Sequence, residues 1–127
     1  MKSSKLFISF AALFGLVAVI IGSLAAHAID KGLTAEALQR VYTAQEYQFY
    51  HVAALLSVGI LGSLHRNQDS MLLKLAGLFF LLGILLFSGS LYAFALTDNA
   101  LYGKVTPFGG ISFILGWFFL MLFGLFK

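Results

Sequence analysis

The sequence predicts an all-α integral membrane protein: a four-helix bundle with a short amphipathic interfacial helix between helices one and two. Composition and the spacing of apolar stretches carry that reading. The chain is 61% hydrophobic and only 10% charged, with a mean hydropathy of +0.97; soluble domains are about half apolar and about a quarter charged. A helix needs about 20 mostly apolar residues to cross a bilayer. Four stretches supply them, at about 6–28, 47–64, 72–96 and 108–126, and none contains Asp or Glu. Backbone in lipid must satisfy its own hydrogen bonds, so these stretches are helices rather than open strands. The short alternating segments of a β-barrel are missing. The 127 residues form a single membrane domain, with no second composition regime.

The first stretch has a rival explanation. Lys2 and Lys5, an apolar run, and then Ala26-His27-Ala28 resemble a signal peptide with its cleavage site. The apolar run is longer than the usual signal core, so it reads as an uncleaved anchor. In the third stretch Lys74 stands in the first turn, where it can snorkel to the interface. The eight cations then set the orientation. With the N-terminus inside, Lys2, Lys5, Arg66, Lys74 and Lys127 fall inside and Lys31, Arg40 and Lys104 outside, five against three. By the positive-inside rule both termini are cytoplasmic.

Between the first two spans lies the one long loop. Thr34 is its N-cap, Glu36 sits in the following first turn, and Leu33 and Leu38 occupy the staple positions. Leu38, Val41, Tyr42 and Gln45 share a face, which predicts a short amphipathic helix lying on the outer surface and running into the second span. His65 belongs to the short inner loop and reads as a solvated residue. Thr106-Pro107 reads as an N-cap and first helical residue, which starts the fourth helix at Pro107.

Lipid tails are as apolar as leucine, so helices in a bilayer associate through close packing and polar contacts. The first span carries a stripe of small residues, Ala11, Gly15, Ala18, Gly22 and Ala26. Gly59 and Ser63, Gly89 and Ala93, and Gly109, Gly110, Ser112 and Gly116 offer similar close approaches in the other spans. Trp117 lies mid-span, away from the interface, and its N–H requires a partner; it is expected to face the bundle interior.

Placed by depth, the polar residues gather in the outer half. Ser23, His27, Gln48, His51, Ser88, Ser90, Tyr92 and Thr106 all fall there. Polar groups at membrane depth usually face one another or a water-filled cavity. Three readings are open. The cluster is a structural network that fixes helix register; or it is a small-molecule, lipid or proton site, with an outward cavity lined by His27, His51 and Tyr92; or it holds a metal or haem. For metal, the candidates are His27, Asp30, His51 and Glu46, and for haem the two histidines on different helices. Such two-residue spacings are common by chance, and no cofactor is expected.

Other functions lack their parts. Cysteine is absent, which removes disulfides, iron–sulfur clusters and thiolate metal sites. The cations form no basic patch, so no nucleic acid partner is expected. No nucleophile elbow, phosphate loop or paired buried carboxylates are present, so the chain does not read as an enzyme. A transporter would favour buried acids and broken helices, of which Gly109-Gly110 is only a faint hint. The expected partners are the lipid bilayer and, through the small-residue stripes, another copy or another membrane protein.

Four segments in order resemble a known family. They are Gly22-Ser23-Leu24-Ala25-Ala26-His27-Ala28; Thr43-Ala44 with Tyr47-Gln48 and His51-Val52-Ala53-Ala54-Leu55-Leu56; Leu86-Phe87-Ser88-Gly89-Ser90-Leu91-Tyr92; and Thr106-Pro107-Phe108-Gly109-Gly110 with Gly116-Trp117. Together they are similar to the small membrane proteins of domain of unknown function 423, or uncharacterised protein family 0382, with transmembrane protein 256 as a eukaryotic relative. Ala25 and Ala28 depart from that pattern by replacing glycines, a change expected to stiffen the end of the first span. The resemblance implies a multi-pass plasma-membrane protein of four spans with residues 1–28 retained. It implies no activity.

Overall fold

The computed structural model describes residues 2–65 and 70–126. Arg66 and Asp69 of the inner loop, and the terminal Lys127, lie outside the described residues. Four helices in it are long and apolar enough to cross a membrane: α1 Lys2–Ala25, α2 Ala35–Leu64, α3 Met71–Thr97 and α4 Ala100–Phe126. No strand occurs among the described residues.

Packing follows chain order. α1 lies on α2, α2 on α3, and α3 on α4, with a smaller contact between α1 and α3. α2 and α3 form the central pair, with α1 against α2 and α4 against α3. The main core sits between that pair, where Leu55, Val58, Leu73, Ala76 and Phe80 are fully buried between Phe7 of α1 and Phe113 of α4. A second cluster, Ala25, Ala37, Val41 and Ala95, closes the end that carries the α1–α2 loop, the long-loop end of the bundle.

Small residues set how closely the helices approach. Ala11 and Ala18 are buried, and a side chain at Gly15 would come into ordinary contact with Val52. A side chain at Gly59 would meet the backbone of Ser4 and Ile8, so α1 and α2 come closest there. Between α3 and α4 the fit is reciprocal: the Phe113 ring fills the space a side chain at Gly83 would need, and the Phe80 ring does so at Gly116. Three expected packing positions fall outside these seams. Ala26 is exposed and Ala25 is buried in its place, because α1 ends at Ala25. Gly89 and Gly110 face open space.

Gly89 is displaced by a feature that departs from the α-helical period. Ile84–Ser88 form a π-helical turn inside α3. Such a turn holds one extra residue, so every later side chain is rotated from its expected face. Gly109 of α4 rests against the Phe87 backbone of this turn.

Three boundaries differ from expectation. The amphipathic segment is not a separate surface helix: Ala35–Leu64 is one continuous helix, still capped by Thr34, whose hydroxyl accepts from the Ala37 N–H at 3.1 Å. Its apolar face, Leu38 and Val41, has α1 and α3 to pack on, so it continues the bundle instead of lying on lipid. α4 begins at Ala100, not Pro107, where Asn99 Oδ1 accepts from the Leu101 N–H at 3.0 Å. Pro107 therefore lies inside the helix and removes one backbone bond at the start of its third turn. α1 ends at Ala25 rather than 28: Ala26 to Gly32 form turns, and Gly32 closes them at φ 96°.

Candidate functional site

Gln48 is 2% exposed and bridges three helices. Its Nε2 donates to the Phe14 carbonyl of α1 at 2.7 Å, and its Oε1 accepts from the Tyr92 hydroxyl of α3 at 2.5 Å. Gln45, one turn earlier, donates to the Ala18 carbonyl at 3.0 Å. Helical carbonyls keep a second lone pair, so both amides bind α1 without breaking its ladder. Gly22 is small for this reason: a side chain there would strike the Gln45 amide.

The π-turn aims the α3 serines in two directions. Ser88 donates to the Ala44 carbonyl of α2 at 2.8 Å, while Ser90 pairs with Thr106 of α4 at 2.6 Å. On α4, Ser112 returns a bond to the Phe79 carbonyl at 2.7 Å.

His51 ties α2 to α4. Its Nδ1 lies 2.7 Å from the Tyr47 carbonyl, and the Trp117 indole N–H donates to its Nε2 at 3.0 Å. A carbonyl only accepts and an indole only donates, so the ring is neutral and carries its proton on Nδ1. It stacks on Phe113, centroids 3.5 Å apart and planes within 8°. Trp117 does not face the interior as a whole. Its N–H points inward, but the residue is 47% exposed, so its ring forms part of the surface.

The predicted cluster is therefore divided. Gln48, His51, Ser88, Ser90, Tyr92, Thr106 and Trp117 all take part in contacts between helices. Ser23 and His27 do not: both are exposed, and Ser23 bonds only to the Val19 carbonyl of its own helix. α1 ends before His27, which leaves that residue in the turn beyond the bundle. Sequence reasoning missed Gln45 and the donor role of Ser112. Gln45 was detectable, since it stands three residues before Gln48 on the same face.

The cavity expected between His27, His51 and Tyr92 is not formed. His51 lines a groove of about 890 Å³ between α2 and α4, and Tyr92 lines a smaller one of about 190 Å³ between α1 and α3. His27 lines neither. The metal and haem candidates are not brought together as a set. His27, Asp30 and Glu46 are exposed, and both ring nitrogens of His51 are engaged. No group of three or more metal-binding side chains gathers among the described residues. His65 caps the end of α2 instead of standing in solvent: its Nδ1 lies 2.9 Å from the Leu61 carbonyl and its ring meets the edge of Phe123. α4 continues unbroken through Gly109-Gly110.

Four membrane-capable helices cross-linked by buried amides, hydroxyls and one neutral imidazole define a multi-pass helical membrane protein. Comparison with known proteins places it more closely. Residues 21–110 match the model of the family described as protein of unknown function (DUF423). The chain is 39% identical over 123 residues to a UPF0382 membrane protein of Staphylococcus saprophyticus, covering 97% of this chain and 98% of that one. It is 37% identical over 122 residues to a UPF0382 inner membrane protein of Escherichia coli K12, covering 96% and 90%. It is also 39% identical to a UPF0382 membrane protein of Haemophilus influenzae, covering 95% and 94%. The chain belongs to this family of uncharacterised membrane proteins. No solved structure matches it.

Proposed function

We propose that this chain is a structural or interaction protein of the plasma (inner) membrane rather than an enzyme, with both termini cytoplasmic and its polar residues serving as internal ties. One observation carries the reading: the buried polar side chains of the cluster spend their hydrogen bonds on neighbouring helices. Gln48 alone joins α1, α2 and α3, and His51 has both ring nitrogens occupied. A site built for a ligand would leave such groups aimed into a cavity. The working partners are the bilayer and a second membrane protein or a second copy. No cofactor is called for.

The test is His51→Ala. Removing the ring deletes the link to Trp117 and leaves the indole N–H without its partner, so the bundle in detergent unfolds at a lower temperature. A variant as stable as the parent that has nevertheless lost the protein's cellular effect would overturn the reading, because His51 would then be serving something outside the bundle.

A further inference from the structure

The groove between α2 and α4 has one of the internal ties for its floor: His51, stacked on Phe113 with Trp117 beside it, bridges the two helices. Its volume of about 890 Å³ suits a hydrocarbon chain. The walls are apolar, with Ile111 and Ile114 on α4.

Among the described residues, charge stands beside it at its long-loop end. On the α2 wall, Tyr50 lines the groove and its hydroxyl donates to Glu46 at 2.7 Å, which fixes that carboxylate at the rim. On the α4 wall, Lys104 stands three residues before the groove-lining Pro107, one turn nearer the end of the helix and exposed. The mouth of the apolar channel thus has an anion held by a lining residue of α2 and a cation one turn beyond the lining of α4.

We propose that this groove seats a zwitterionic phospholipid, one acyl chain lying along the Phe113 and Trp117 floor and the headgroup held between Glu46 and Lys104. Lys104 takes the phosphate and Glu46 the ammonium. An anionic headgroup keeps the first contact but meets repulsion from Glu46.

Trp117, the single tryptophan, is the reporter. The full chain is reconstituted in mixed bilayers, and brominated phosphatidylethanolamine or brominated phosphatidylglycerol is introduced at matched mole fractions. Brominated phosphatidylethanolamine is expected to quench Trp117 more effectively by about two- to fivefold, the range of an exposed ion pair. Glu46→Gln keeps an acceptor for Tyr50 and is expected to abolish the preference. Gly110→Phe, placed where a side chain meets open space in the groove, is expected to abolish it without lowering the unfolding temperature. Equal quenching by both lipids in the parent, or a preference that survives either substitution, would overturn the proposal. Neither result bears on the internal ties, which Glu46 and Gly110 do not join.

Discussion

Gln48 is the residue whose replacement separates packing from hydrogen bonding most cleanly. Hydrogen bonds between membrane helices contribute about 0.6 kcal/mol each on average. Tyr92→Phe deletes one, so a loss of about 0.6 kcal/mol is expected. Gln48→Leu deletes two and strands the Tyr92 hydroxyl at a site where it is half-buried, so about 1–2 kcal/mol is expected. The double variant strands nothing on α3 and should be no less stable than Gln48→Leu alone. Reversible unfolding of the four proteins in mixed micelles measures the cycle; additive losses would mean that the Gln48–Tyr92 bond is not formed. His51 behaves differently because stacking on Phe113 contributes beside its hydrogen bonds. His51→Phe keeps the stack and loses the Trp117 link, and so should fall between the parent and His51→Ala in stability.

The elements meet most tightly where α4 crosses the π-turn of α3. A methyl at Gly109 would meet backbone atoms of Phe87, its Cα at 2.6 Å, and backbone cannot swing aside as a flexible side chain can. Gly109→Ala is therefore expected to cost about 1–3 kcal/mol, the range of an overpacked core. Gly110→Ala, next door but facing open space, is expected to be neutral or to gain up to about 1 kcal/mol from helix propensity. Thermal unfolding of the pair decides it, and equal effects at the two positions would contradict the crossing geometry. The same junction marks how far the fold is legible in the sequence. Span positions follow from hydropathy, and Gln48, Ser88 and Tyr92 follow from depth and polarity. Gly89 escapes such reasoning because nothing in the residues Ile84–Ser88 announces a π-turn, and the one extra residue rotates every side chain after it. Pro107 misleads in the opposite sense. Proline favours a helix start, but Asn99 caps α4 two turns earlier, and the pairing of Ser90 with Thr106 shows that α3 packs beside the turn that proline weakens. Depth alone gathers His27 into the cluster, and depth carries no information on where a helix ends.

At the scale of the whole molecule, four spans return the chain to the side on which it started, so one measurement at one terminus fixes the entire arrangement. Only the cation bias chooses the side, and that bias is small: five against three with the N-terminus inside. On the minority side, Arg40 is partly committed within the fold, with its guanidinium 3.6 Å from Asp98 and 3.8 Å from the centre of the Phe94 ring. That contact forms only after the helices have packed, so Arg40 still counts while orientation is decided. A carboxyl-terminal fluorescent reporter that matures only in the cytoplasm should therefore light up in the parent, and a phosphatase active only outside should stay silent. Lys2→Gln with Lys5→Gln lowers the inside count from five to three and leaves the outside at three. With no bias left, the population should split, giving signal from both reporters. Lys31→Gln with Lys104→Gln shifts the ratio the other way, to five against one, and should leave the cytoplasmic signal undiminished. A parent that is phosphatase-positive would reverse the assignment of sides, and with it the leaflet in which Glu46 and Lys104 lie.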